Sequence, residues 1–396
     1  MALNLIRNSR VFYTTKVTNG VVDTTGFTTA NTQEIQVQDG FSFSQNTGQE
    51  TVTVNESGAA PIRGQRSFNT SLEPVDWSFA TYIRPKFEEG GTSASALDSD
   101  DYINAEEAVL WNSLSGTGKI GETGAGWTKS STFAPPYATV AFGNSNAHQL
   151  LPFGLIIRFE DVTYIIDNCA IDSATLDFGL DAIASITWAG KGTTMRQVAT
   201  AVTLADSSGT TTLSGGLGGT AKSKDTTAAY IANKLSTLTL SSLAFGGLSA
   251  KAYTLALTGG NLTISNNLTF LTPANLGVVN QPITYFTGTR AVTSTVTCYL
   301  KTGTNESSTL LKDMLAASSS STENKFAAEI SLGGTLNTNK VVLNIPTAQL
   351  TIPSINSEQI IATSINMTAQ GATAGAYDLE AKNELEVKYF ATNTTV

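Results

Sequence analysis

Ser71-Leu72-Glu73-Pro74-Val75-Asp76-Trp77-Ser78-Phe79-Ala80-Thr81-Tyr82-Ile83-Arg84 places Val, Trp, Phe, Thr, Tyr and Ile within nine residues after a Glu-Pro break. Such a density of β-branched and aromatic side chains predicts a strand. A shift of 217 residues reaches Thr289-Arg290-Ala291-Val292-Thr293-Ser294-Thr295-Val296-Thr297-Cys298-Tyr299-Leu300-Lys301. Val75 then meets Val292, Ser78 meets Thr295, Phe79 meets Val296, Tyr82 meets Tyr299 and Arg84 meets Lys301. Self-similarity at a fixed offset is the signature of one structural unit used twice.

The neighbourhoods of the two strands agree in order. Asn104-Ala105-Glu106-Glu107-Ala108-Val109-Leu110-Trp111-Asn112-Ser113-Leu114 reads as a helix, with Asn104 as cap and Glu107 reaching back as in a capping box. Glu306 to Ala317 reads as its counterpart, with Leu310, Leu311, Met314 and Leu315 at helical spacing after Thr304 or Asn305. A shift of 179 lays Thr163-Tyr164-Ile165-Ile166-Asp167 on Val342-Leu343-Asn344-Ile345-Pro346. The same shift lays Ser185-Ile186-Thr187-Trp188 on Ser364-Ile365-Asn366-Met367, each followed by a Gly turn. Upstream, Glu34 to Phe43 contains Asp39-Gly40, a hairpin signal. Tyr253 to Gly260 repeats the pattern, with Leu262 and Ile264 following as Phe41 and Phe43 do, and Pro61-Ile62 meets Pro282-Ile283. Leu235 to Leu240 matches the first strand at Val11-Phe12-Tyr13.

These correspondences predict a mainly β (α+β) chain of two tandem β-sandwich or barrel domains, each with a flanking helix. Copy 1 spans 1–205, with a last strand from Arg196 to Leu204. A Gly/Ser/Thr-rich linker spans 206–224 around Gly215-Gly216-Leu217-Gly218-Gly219, and copy 2 spans 225–396. The 396-residue length suits two domains. Only 14% of residues are charged, and Cys169, Cys298 and His148 are the whole complement of their types, which argues against thiolate clusters, His-built metal sites and Ser-His-Asp chemistry. The net charge of −9 is uneven: residues 1–192 hold 21 acidic and 11 basic side chains, and 193–396 hold 11 and 12. An acidic half does not grip DNA but suits a surface that DNA must pass without sticking. Met1 to Arg10 shows no secretory h-region, and no run of 18 apolar residues occurs, so synthesis and folding in a cytosol are expected.

No chemical motif displaces this reading. Gly216 to Ser223 departs from a phosphate-binding loop at Ala221, where the backbone needs Gly, and an interdomain linker accounts for it. Asp98-Ser99-Asp100-Asp101-Tyr102-Ile103 fails as a calcium loop at Tyr102 and Ile103, and its acids instead suit a helix N-terminus. The pairs Glu88-Glu89 and Glu106-Glu107 are adjacent, so they do not converge as an acid–base couple. Asn55-Glu56-Ser57 and Asn305-Glu306-Ser307 match glycosylation sequons but lack a secretion signal to give them meaning. No catalytic residue, cofactor or metal is expected.

The loop from Asn55 to Ser67 is long and holds Pro61, Ile62, Arg63 and Arg66 in an acidic half. It is either a solvated loop or an arm that docks on an acidic face of another subunit, and Pro282 and Ile283 occupy the matching place in copy 2.

Arg66 to Pro85, and Lys340 to Pro353 with its continuation through Gly371, resemble the tail tube proteins of tailed bacteriophages. The resemblance covers most of the chain apart from the linker. It implies a β-sandwich or partial barrel with a flanking helix, six such domains closing into a ring around one continuous barrel, and a long loop reaching the neighbouring ring. With two domains per chain, it implies three chains per ring. The implied role is a virion structural protein that stacks into the conduit for DNA ejection. Its partners would be itself, tape-measure and tail tip or terminator proteins and possibly a sheath, with double-stranded DNA passing through unbound and no membrane. Competing readings are a baseplate or decoration protein of the virion, or a surface β-sandwich adhesin.

Overall fold

The computed structural model describes residues 9–24, 27, 31–53, 64–88, 102–116, 127–130, 137–142, 150–159, 162–198, 229–244, 251–317, 325–333, 339–356, 360–371 and 384–391. The N-terminal half contributes β1 (Arg10–Thr14), β2 (Val17–Thr18), β3 (Val21–Val22), β4 (Thr32–Ile35), β5 (Ser42–Ser44), β6 (Thr47–Val52), β7 (Arg66–Leu72), β8 (Val75–Tyr82), β9 (Pro85–Glu88) and β10 (Tyr102–Ala105). Helix α1 (Ala108–Ser115) follows, then β11 (Trp127–Ser130), β12 (Tyr137–Ala141), β13 (Phe153–Arg158), β14 (Thr163–Asp177), β15 (Ser185–Gly192) and β16 (Met195–Val198). The C-terminal half holds β17 (Thr237–Ala244), β18 (Ala252–Leu255), β19 (Leu257–Ser265), β20 (Thr269–Leu271), β21 (Thr284–Phe286), β22 (Ala291–Tyr299) and α2 (Ser307–Ala317). It ends with β23 (Lys325–Leu332), β24 (Lys340–Leu350), β25 (Ser354–Asn356), β26 (Ala362–Ala369) and β27 (Glu386–Phe390). The chain is mainly β, as expected, with two α-helices among the described residues.

In each half the strands pair in the same order. β1 lies between β4 and β13, β13 pairs with β14, β14 with β15 and β16, β15 with β8, and β8 with β5. In the C-terminal half β17 lies between β18 and β23, β23 pairs with β24, β24 with β26 and β27, β26 with β22, and β22 with β19. Every one of these ladders is antiparallel. A hairpin leaves the paired strands in both halves: β6–β7 beyond β5 and β8, and β20–β21 beyond β19 and β22.

β14 explains how one strand serves two sheets. From Ile165 to Ile171 every side chain is buried, the polar Asp167 and Asn168 among them, so this part of the strand lies between layers with both faces covered. From Ser173 to Asp177 burial alternates, with Ala174 and Leu176 inward and Ser173, Thr175 and Asp177 outward. A bulge between Ile171 and Ser173 marks the change. The outer half of β14 carries β15 on one edge and β19 of the other half on the other. β5, β8, β15, β14, β19, β22, β26 and β25 therefore form one unbroken antiparallel run.

A second link crosses the halves at the C-terminus, where β27 lies between β24 and β12. One apolar cluster runs through both halves. At its centre Trp111 of α1 meets Trp188 of β15 edge to face at 5.2 Å, and Trp77 lies over Gly190, where any Cβ would sit 2.4 Å from the ring. Arg290, 9% exposed at its side chain, donates to Glu384 at 2.6 Å and to the Phe142 carbonyl at 2.8 Å. Cys169 and Cys298 are buried free thiols.

Two local expectations need correction. Asp39-Gly40 does not close a hairpin: β4 pairs with β1 and β5 with β8, while Gly40, at φ 97°, turns the chain from one sheet to the other. The Tyr253–Gly260 stretch makes the same transfer from β17 to β22. Asn104 does not cap α1. It belongs to β10, its side chain accepts from the Ala105 N–H, and Glu107 occupies the cap position. α2 begins at Ser307, one residue inside the expected bounds. Strand β16 covers Met195–Val198, and the linker 206–224, the phosphate-loop-like stretch and His148 lie outside the described residues.

Candidate assembly surfaces

The eight-strand run has one face on the core and the other covered with short polar side chains. Its rows can be followed strand by strand. Ala80, Thr187, Thr175, Thr263, Thr293 and Thr368 form one, and Tyr82, Ser185, Asp177, Asn261, Thr295 and Asn366 the next. Hydroxyls and amides bond across the ladders, as between Thr175 and Thr263 at 3.2 Å and from Thr295 to Asn366 at 2.9 Å. Of the charged groups on this face, Asp76 accepts from Lys191 at 2.5 Å, and partial burial raises the carboxyl of Asp177 above its ordinary value.

The acidity of the N-terminal half is only partly on that face. Asp167 is buried and accepts from Arg196 and from the Val22 N–H. Glu107 is buried under the hydroxyl of Tyr389, which donates to it at 2.5 Å and accepts from the Trp111 indole at 2.7 Å. Desolvation pushes the Glu107 carboxyl up to about 8, with the Tyr389 hydrogen bond offsetting part of the effect. These buried carboxyl groups hold strands and the helix together, a use that charge counting does not reveal.

The run ends in two edges. β5 pairs with β8 and β25 with β26, and among the described residues neither strand has a ladder partner on its other side. Unpaired edges of this kind recruit another strand unless something covers them.

The two hairpins stand side by side. The Leu72 N–H donates to the Asn280 carbonyl at 2.7 Å, and the Asn280 N–H to the Thr70 carbonyl at 3.3 Å. Between β20 and β21 the segment exposes Leu276 fully, with Val278, Val279 and Ile283 also exposed, and Val52 and Phe68 are exposed on the first hairpin. Such contiguous apolar exposure marks a contact surface. Of the residues singled out in the sequence, Arg66 opens β7 and is exposed, Ile283 is 57% exposed and Pro282 is buried beside it. Pro61, Ile62 and Arg63 lie outside the described residues. The bond between hairpins and the exposed Leu276-to-Val279 stretch were missed from sequence. The Asn-Leu-Gly-Val-Val composition of 275–279 was the available signal.

A sheet with two open edges, a polar face and paired apolar hairpins defines a strand-built subunit of a larger assembly. No protein-family model matches the chain. Tail tube protein pb6 of Escherichia phage T5 is 31% identical over 379 residues, covering 93% of this chain and 73% of that protein. The chain belongs to the tail tube proteins of bacteriophages, structural components of the virion tail that assemble with copies of themselves.

Proposed function

We propose that the chain is one third of a tail tube ring, with residues 1–205 and 225–396 as two copies of one tube domain joined by the linker 206–224. The recurrence of one strand-pairing order in both halves carries this reading. Three chains then close a pseudo-sixfold ring, and each eight-strand run contributes an arc of the barrel wall. The hydroxyl-covered face lines the lumen. Double-stranded DNA slides along it during ejection because, among the described residues, the face offers its phosphates no free cation: Lys191 is held by Asp76.

The hairpins reach the adjacent ring, with Leu276, Val279 and Ile283 as apolar anchors. Pro61, Ile62, Arg63 and Arg66 belong to the matching arm of the first copy. Tape-measure, tip or terminator proteins, and in a contractile tail a sheath, meet the same tube. The protein acts by geometry and without catalysis. Electron microscopy of the purified chain tests the reading: tubes built of threefold rings support it, and sixfold rings of whole chains or monomers at high concentration overturn it.

A further inference from the structure

Asp177, Ser185 and Tyr82 lie in one row of the N-terminal half, and Ser354, Ser364 and Thr297 lie in one row of the C-terminal half. Five residues before Tyr82, Trp77 faces Phe43 on β5. Five before Thr297, Val292 faces Ile264 on β19. Ser354 thus stands where Asp177 stands, Phe43 where Ile264 stands, and Tyr82 where Thr297 stands, which corrects by two residues the match of Tyr82 to Tyr299 expected from sequence. Within the chain Asp177 faces Asn261 and Thr175 faces Thr263.

Burial at the two ends agrees. Phe178, beside Asp177, is 2% exposed, its N–H donating to the Gly260 carbonyl at 3.0 Å and its ring against Gly260. Ile355, beside Ser354, is 51% exposed, because no described strand lies next to β25. Phe43 is half-buried where Ile264 is fully buried. The same apolar position is covered at the internal seam and bare at the open edge.

We propose that the β25 edge of one chain pairs antiparallel with the β5 edge of a second copy in the internal register, setting Ser354 opposite Gly40 and Ile352 opposite Ser42. Ile355 then lies against Asp39 and Gly40 and loses its exposure. This rests on the ring reading above, and the occupant is a second copy because the missing strand at one edge is the strand offered at the other.

Cysteine cross-linking of the assembled 396-residue chain tests the register, in a background carrying Cys169→Ala and Cys298→Ala. The double variant Ser42→Cys/Ile352→Cys is expected to give reducible covalent multimers on mild oxidation. Either single variant, or Phe43→Cys/Ile352→Cys with one side chain on the other face, is expected to stay monomeric on the gel. Rings visible by electron microscopy whose double variant stays monomeric overturn the register. A chain that forms no rings overturns instead the assembly reading beneath it.

Discussion

Thr175 and Thr263, 88 positions apart in sequence, face each other across β14 and β19 with their hydroxyls 3.2 Å apart. Directly opposed residues of an antiparallel pair have Cβ atoms about 4.5–5.5 Å apart, within reach of a disulfide after slight adjustment. Thr175→Cys/Thr263→Cys is expected to oxidise within one chain, leaving its mass that of a monomer on a non-reducing gel. The bridge should raise stability by roughly 2–4 kcal/mol. Intermolecular products alone would refute the seam.

Gly190→Val tests the contact under Trp77. A Cβ there meets the Ala170 carbonyl oxygen at 2.2 Å as well as the indole, so both backbone and ring must move. Overpacking of this kind costs about 1–3 kcal/mol or more. A fall in urea midpoint of that order is expected, and an unchanged midpoint would contradict the packing.

Arg290→Met strands the buried Glu384 carboxylate. Removing one partner of a buried pair costs about 3–5 kcal/mol, whereas replacing both is much milder. The double variant Arg290→Met/Glu384→Met should therefore melt above the single one, and a thermal scan that orders them the other way refutes the pairing.

Much of the fold could be read along the chain. The β-branched and aromatic density from Val75 to Ile83 becomes β8, and the Leu310–Met314 spacing becomes the inward side of α2. What escaped was partner choice. Asp39-Gly40 has the residue types of a tight turn, but its flanking strands find mates far away in the sequence, β1 and β8. Apolar-in, polar-out alternation in β14 and β19 specifies a face and says nothing about which strand lies alongside. Asn104 looked like a cap because local composition cannot register that β9 has already claimed its backbone. For the surfaces, Ile283 could be marked from sequence, whereas Leu276 and Val279 became visible only once the bond from Leu72 to Asn280 fixed where their loop stands.

Glu107 gives a pH dependence with a definite sign. Its carboxyl is raised to about 8 in the folded chain by burial, with Glu106 adding repulsion. Between the ordinary carboxylate range and pH 8 the folded state holds a proton that the unfolded state has released. Stability from this group is full below that window and is lost as pH rises through it, by at most about 1.4 kcal/mol per pH unit. Glu107→Gln should flatten that slope in denaturation midpoints taken from pH 5 to 9. An undiminished slope refutes the assignment.

Leu276→Ser/Val279→Ser addresses the hairpin surface. Both side chains are exposed, so monomer stability should change by no more than about 0.5 kcal/mol. Sedimentable tubes should nevertheless disappear, while single rings persist under the electron microscope. Tubes of normal length would remove the hairpins from ring stacking.

The β14–β19 ladder also has a kinetic meaning. Because both strands belong to one polypeptide, that junction forms as the chain folds and does not depend on how many other molecules are present. Dilution pulls apart contacts between molecules by mass action and leaves this one untouched. The smallest piece that dilution can yield already carries the eight-strand run with this junction made, so no encounter between molecules is needed to join β14 to β19.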